Sequence, residues 1–267
     1  DGVSSQTQTQ KTKKTKKTTA IVVVSTPIWF IAAASSGFGR EIAFVALKRG
    51  HKVTATARKT FHIQDLADAG AETTALDVTP PLSDIEALAK DVYLPSLPAG
   101  HVGAHDTRAA VVTFGSTVSW QGSAGYPAYA MTKACMSLLV ESLRVELAPF
   151  DIIATVVEPG YFRTNFLNPD VRVMTPIIDA YDENTPTGQM RKALEKMDGN
   201  QLGDVKKGCA VIVDVLTHSG VGEGRQVPVR ICPGSDSDVF IWAKCDDTVK
   251  LLDEWKEMMT LSTDHTD

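Results

Sequence analysis

From Pro27 onward, short apolar runs alternate with stretches whose apolar residues recur every three or four positions. Residues 28–33 (IWFIAA) form an unbroken apolar run and predict a buried strand. Residues 39–49 carry helical spacing and stop at Gly50, and residues 52–57 predict a second strand, completing a β-α-β unit. Residues 73–78 predict a third strand and residues 83–92 a helix, with Ser83 as N-cap and Glu86 completing a capping box. A loop rich in Pro, Gly and His follows, then a strand over 109–115. Residues 129–147 predict a long amphipathic helix with Met131, Leu138, Leu139, Leu143 and Leu147 on or near one stripe. A strand over 152–157, a helix capped by Asp204 and running to about 216, a last strand over 227–232 and a terminal helix over 247–259 complete the pattern. Strands alternating with helices predict fold class α/β, a doubly wound parallel sheet covered on both faces.

Composition narrows this picture. A chain of 267 residues, 43% hydrophobic, can bury one substantial core, so residues 20–267 are expected to form a single domain. Residues 1–19 are a Lys/Thr/Gln-rich tail with almost no apolar side chains, and such a segment is expected to stay disordered. The net charge of -5 argues against a general nucleic-acid binder and for a small-molecule partner. Cys135, Cys209, Cys232 and Cys245 are scattered, with no spacing that suggests a zinc site or a disulfide framework. Basic residues 11–19 followed by apolar residues 20–34 imitate a secretory signal, but Pro27 and the glycine-rich turn that follows read better as a strand opening a nucleotide site. The expectation is a cytoplasmic protein. No apolar stretch is long enough to span a membrane.

Candidate chemistry begins at residues 33–39 (AASSGFG), where a strand hands over to a helix. Gly37 and Gly39 would let backbone approach a pyrophosphate at the positive end of the helix; a tight turn alone would also need them. About twenty residues on, where dinucleotide sites read the ribose, stands Arg58 in place of an acid. A guanidinium suits the 2′-phosphate of NADP(H), whereas an acid suits the diol of NAD(H), so NADP(H) is the expected cofactor and NAD(H) the lesser one. The lesser alternative is that Arg58 simply solvates a strand end. Asp77 could accept from an adenine amino group or cap a turn. Tyr129 and Lys133 share one helix face, with Ser116 upstream. A free phenol, with pKa about 10, is a poor acid-base catalyst at neutral pH, and a neighbouring ammonium is expected to lower that value.

Together these residues resemble the short-chain dehydrogenases/reductases. The resemblance rests on residues 34–39 for the family's T-G-x-x-x-G-x-G turn, Leu76-Asp77-Val78, Ser116, Tyr129 with Lys133, and Glu158-Pro159-Gly160 followed by Thr164. It implies a Rossmann-like NAD(P)-binding oxidoreductase acting on an alcohol/carbonyl pair. In such an enzyme Tyr129 is the general acid/base, Lys133 also holds the nicotinamide ribose, and Ser116 polarises the substrate. Ser35, Ser36, Gly37, Phe38 and Gly39 would cradle the pyrophosphate, and Pro159, Gly160 and Thr164 would lie against the nicotinamide. Self-association into a homo-oligomer is compatible with this reading. The stretch ending at residues 199–204 matches the family's variable substrate cover. Two departures stand out. The family's opening Thr-Gly is Ala32-Ala33, which strains the chain if φ at residue 33 is positive. And the strand ending in Asn-Asn-Ala-Gly, with its following helix, is missing between Asp77 and Ser116. The expected outcome is either a catalytic strand displaced by about 4.8 Å, one strand spacing, or an unpaired gap in the sheet. A second reading is therefore a catalytically impaired nucleotide-binding relic.

Overall fold

The computed structural model describes residues 26–83, 86, 109–168, 178–260 and 263. The tail over 1–19, and all but Ser83 and Glu86 of the helix expected over 83–92, lie outside the described residues.

The observed order is β1 (Ile28–Ile31), α1 (Gly37–Lys48), β2 (Lys52–Ala57), α2 (Gln64–Asp68), β3 (Glu72–Ala75), β4 (Ala109–Phe114), α3 (Pro127–Leu147), β5 (Ile152–Val157), α4 (Pro186–Met197), α5 (Val205–Leu216), β6 (Arg230–Ile231) and α6 (Ser235–Thr260). Every ladder is parallel. Strands β1, β2 and β3 pair in that order, with Trp29 opposite Val53 and Ala55 opposite Thr73. Strands β4, β5 and β6 form a second set, with Val111 opposite Ala154 and Val157 opposite Ile231. This is the α/β architecture the hydrophobic pattern predicts.

No ladder joins β1 to β4 among the described residues, which is where the missing strand would stand. Among the described residues, then, β1 and β4 are not paired with each other, and the segment between β3 and β4 lies largely outside those residues. Burial follows the pairing. On β2, Val53 and Ala55 are buried, and on β5 Ala154, Val156 and Val157 are too, because each strand has a neighbour on both edges. On β1, Ile28 and Phe30 remain 45% and 40% exposed, and on β4 Val111 is 38% exposed.

Side chains join the two halves instead. Ile31, Ala34, Ile42, Ala43 and Ala46 from the first half share one core with Val157, Cys209, Ile212, Val213 and Ile231 from the second. Cys209, Ile212 and Val213 recur at helical spacing and give α5 the stripe that packs on α1. A fully buried Val or Ile contributes roughly 1.5–3 kcal/mol. Such packing can hold the halves together without backbone bonds between them. A smaller cluster of Val140, Ala154 and Val156 seats α3 on β5.

The departures from the predicted boundaries have local causes. The third strand stops at Ala75 because the Asp77 carboxylate turns back to accept from the Thr79 N–H at 3.0 Å and its hydroxyl at 2.8 Å. The last strand shrinks to Arg230–Ile231 between Pro228 and Pro233, neither of which can donate to a ladder. The terminal helix begins at Ser235 after Gly234 (φ +112°) and includes the predicted 247–259. Helix α4 was not expected; Pro186 opens it and the Thr185 hydroxyl caps it at Gly188 N–H, 3.2 Å away. No described helix is long and apolar enough to cross a membrane.

Candidate active site

The glycine turn leaves β1 and enters α1 over residues 32–36. Ser36 is the extended N-cap and its side chain caps nothing, so the first-turn N–H groups of α1 have no side-chain acceptor. Gly37 has φ +58°. A methyl at Gly39 would sit 2.7 Å from the Ala33 carbonyl oxygen, which is why this helix turn tolerates only glycine. Ala33, where the family has glycine, does have positive φ, at +61°. Ser35, Ser36, Gly37, Arg40, Arg163 and Thr164 line a cleft of about 240 Å³ over this turn. Arg40 is already paired with Asp65 and the Glu41 carboxylate also lines this cleft, so the fit to a pyrophosphate rests on the uncapped first-turn N–H groups and the small side chains. Phe38 is placed differently: its ring packs against Phe114 (centroids 5.5 Å apart) and Phe162 (5.1 Å), so it contributes to the core.

Arg58 is exposed, immediately after β2. Asp77 is also exposed, and its carboxyl is held below the usual range, first by the Thr79 hydrogen bonds and more weakly by Arg58. The turn-capping reading of Asp77 is therefore realised, while Arg58 and Asp77 remain together at the C-terminal edge of the sheet.

Ser116 ends the path of β4 and caps a short 3₁₀ turn, Thr117–Ser119: its Oγ accepts from Val118 N–H at 3.4 Å, and Ser119 Oγ accepts from Ser116 N–H at 3.2 Å. Its side chain lies near enough to the Tyr129 phenol to pull that group's pKa down. Lys133 lies one helical turn along α3, with Nζ 5.7 Å from the Tyr129 ring centroid. The structure thus brings Ser116, Tyr129 and Lys133 together. It does not give the expected lowering of the phenol. Burial pushes Tyr129 above its usual value, the Ser116 side chain pulls it down and Tyr126 adds to the rise. Burial also lowers the Lys133 ammonium.

The lysine has a second task. Lys133 Nζ donates to the Phe114 carbonyl at 2.9 Å. Backbone groups alternate sides along a strand, and the next residue, Gly115, donates to Val157 of β5, so the Phe114 carbonyl faces the edge of β4 away from β5. Lys133 satisfies that carbonyl and keeps two N–H donors for another acceptor.

Pro159 and Gly160 follow β5. The Pro159 carbonyl accepts from Thr117 N–H at 3.3 Å, and Gly160 N–H donates to Pro233 at 3.0 Å, which ties this segment to the Ser116 turn and to the end of β6. Thr164 caps its own turn at Phe166 and lies beside Gly37. Sequence reasoning missed the aromatic surround of Tyr129. Phe166 packs on Tyr129 (5.5 Å), Tyr126 meets it edge-on (6.3 Å), and Tyr161 is pushed up to about 12, chiefly by burial and then by Tyr126. The position of Tyr126 just before α3, and of Tyr161 and Phe166 around Thr164, was the available signal.

A family model described as short chain dehydrogenase matches residues 100–172, which include Ser116, Tyr129, Lys133, Pro159, Gly160 and Thr164. The solved structure of a short-chain dehydrogenase from Streptomyces avermitilis is 29% identical, with a TM-score of 0.74, over 90% of this chain and 100% of that one. Over these matches the chain is similar to the short-chain dehydrogenases/reductases. It is also 26% identical to Oxidoreductase BOA17 of Botryotinia fuckeliana (strain B05.10), over 89% of this chain and 99% of that protein. A short chain dehydrogenase/reductase from Burkholderia phymatum, solved in complex with NAD, shares the fold with a TM-score of 0.59 at 18% identity, covering 91% of this chain and 98% of that one. These likenesses support an oxidoreductase with a nicotinamide cofactor. The chain's departures from the family pattern, Ala33 and, among the described residues, the lack of a ladder between β1 and β4, both lie where the family's cofactor turn and catalytic strand are built.

Proposed function

We propose that this oxidoreductase interconverts an alcohol and a carbonyl with NADP(H), using Tyr129 as general acid/base. The observation that carries the reading is the grouping of Ser116, Tyr129 and Lys133, with the Lys133 ammonium 5.7 Å from the Tyr129 ring and Ser116 beside the phenol. The fit of the glycine turn to a dinucleotide supports it: Ser35, Ser36, Gly37 and Gly39 would hold the pyrophosphate, Arg58 the 2′-phosphate, Lys133 the nicotinamide ribose, and Pro159, Gly160 and Thr164 the nicotinamide end. When bound, NADP(H) supplies or accepts the hydride. The chain's own groups handle the proton. A phenol raised by burial is protonated at neutral pH and can donate to a carbonyl oxygen, and Ser116 holds that oxygen within reach of it. Phe166, Tyr126 and Tyr161 exclude water from the phenol. The remaining expectations fit the same reading: one domain over 20–267, a small-molecule substrate, a homo-oligomer and a cytoplasmic location. Asp77 faces Arg58 and is placed to meet the adenosine end.

The lack of a strand partner beside β4 among the described residues, other than β5, supports a second reading, a nucleotide-binding chain with impaired turnover. The test is NADPH oxidation followed by absorbance with a panel of carbonyl compounds, beside a thermal-shift titration with NADP⁺. Turnover supports the first reading; a thermal shift without turnover selects the second.

A further inference from the structure

Glu158, the first residue after β5, has a side chain with no solvent exposure. A carboxylate removed from water persists only where donors surround it, and here they come from three elements. Trp120 Nε1 donates to Oε2 at 2.8 Å, Ser137 Oγ donates to Oε1, and Arg230 Nη1 donates to Oε1 at 2.6 Å. Arg230 returns to α3 through Glu141, with Nε at 3.0 Å, and its guanidinium lies 4.6 Å over the Trp120 ring.

Two of those elements carry the candidate catalytic groups. Trp120 closes the turn that Ser116 opens. Ser137 follows Tyr129 and Lys133 at successive i, i+4 positions of α3, so all three lie along one face. The backbone beneath is equally close: a methyl at Gly115 would meet Glu158 Cγ at 3.0 Å. We propose that Glu158 is a positioning residue whose carboxylate, by accepting from Trp120 and Ser137 together, fixes the separation of the Ser116 hydroxyl and the Tyr129 phenol. Arg230 is its counter-ion. The proposal rests on the reading of Ser116 and Tyr129 as the reacting pair.

The test is a double-mutant cycle with two readouts. Trp120→Phe removes the indole N–H and keeps a ring beneath Arg230. The first readout is the titration of Tyr129, followed by NMR of tyrosine labelled at the ring Cζ and assigned against Tyr129→Phe; Tyr126, Tyr161 and Lys133 also face this phenol and are unchanged in the cycle. Ser116→Ala is expected to raise the midpoint, because the hydroxyl that pulls it down is lost. Trp120→Phe is expected to raise it in the same direction and to add nothing in the Ser116→Ala background. The second readout is turnover: kcat falls on the order of tenfold in Trp120→Phe, while NADPH affinity stays within about twofold. An unchanged Tyr129 titration in Trp120→Phe, or additive effects of the two substitutions, overturns the proposal. Should Trp120→Phe lack a cooperative melt, Ser137→Ala removes the donor on the helix side and carries the same cycle. The titration needs no turnover. A wild-type chain that shows the non-additive titration shift but no NADPH oxidation refutes the catalytic reading and upholds the tie through Glu158.

Discussion

Ala33→Gly should stabilise this protein, a direction opposite to that of most glycine substitutions. Ala33 sits at φ +61°, in the left-handed region, on an exposed turn. An L-residue there costs roughly 1–2 kcal/mol, because Cβ crowds the following carbonyl oxygen. Glycine removes that strain but gives the unfolded chain more freedom, which offsets roughly 0.4–1 kcal/mol. The side chain is a single exposed methyl, so little packing is lost. The net gain is about 0.5–1 kcal/mol, or a rise in Tm of roughly 1–4 °C for a domain of this size. Ala32→Gly is the matched control. Its φ is not positive, so only the unfolded-state effect acts and stability should fall by roughly 0.4–1 kcal/mol. Urea unfolding of both variants, read as midpoint shifts at constant slope, measures the two effects. If Ala33→Gly lowers the midpoint, or if both variants move it the same way, the strain argument is wrong.

Tyr129→Phe should abolish turnover while leaving NADPH binding within a small factor, since only the proton-transferring hydroxyl is lost; Lys133→Met should damage both, and single-turnover kinetics with a cofactor titration separates the cases. Arg58→Ala should weaken NADP(H) by tenfold or more, an estimate from one lost charge-assisted bond, and hardly affect NAD(H); equal weakening of both would falsify the assignment of Arg58. Stability should also fall at high pH. Burial pushes the Cys209 thiol from 9.0 up to about 12, so the unfolded chain releases a proton that the folded chain keeps. That contribution is complete below about pH 9 and is lost as pH rises toward 12, with a slope of at most about 1.4 kcal/mol per pH unit. Cys209→Ala should flatten the slope in denaturation curves measured from pH 8 to 11, and an unchanged slope would assign the loss to other groups.

The parallel strands and major helices were legible because their signals are local. The runs over 52–57 and 152–157 match β2 and β5 residue for residue, since both carry small and β-branched residues that are largely buried between neighbouring strands. Asp204 was readable as a cap, and its carboxylate does accept from Lys206 and Lys207 N–H. The triplet of Ser116, Tyr129 and Lys133 was readable for the same reason, two of its members lying on one helix face. What escaped were features made by distant contacts. The Glu158 network joins residues up to 79 positions apart, counting Ser237, whose hydroxyl donates to the Glu158 carbonyl. The state of Tyr129 also escaped, because an i, i+4 lysine promises a lowered phenol while the aromatic surround that raises it comes from other segments. Helix α4 lacks a buried apolar stripe and was lost among the residues of the substrate cover.

Among the described residues, the edge of β4 away from β5 has no strand partner, and this bears on how the protein behaves in company. A strand edge is a template for another chain, and an exposed apolar residue beside it, such as Val111, favours such pairing. Natural sheets often guard such edges with lysine. Lys133 does so here, since its ammonium occupies the outward carbonyl of Phe114, the last residue of β4. The residue proposed to assist catalysis thus also occupies a backbone acceptor that strand addition would use. Replacing it would free that acceptor as well as remove a charge.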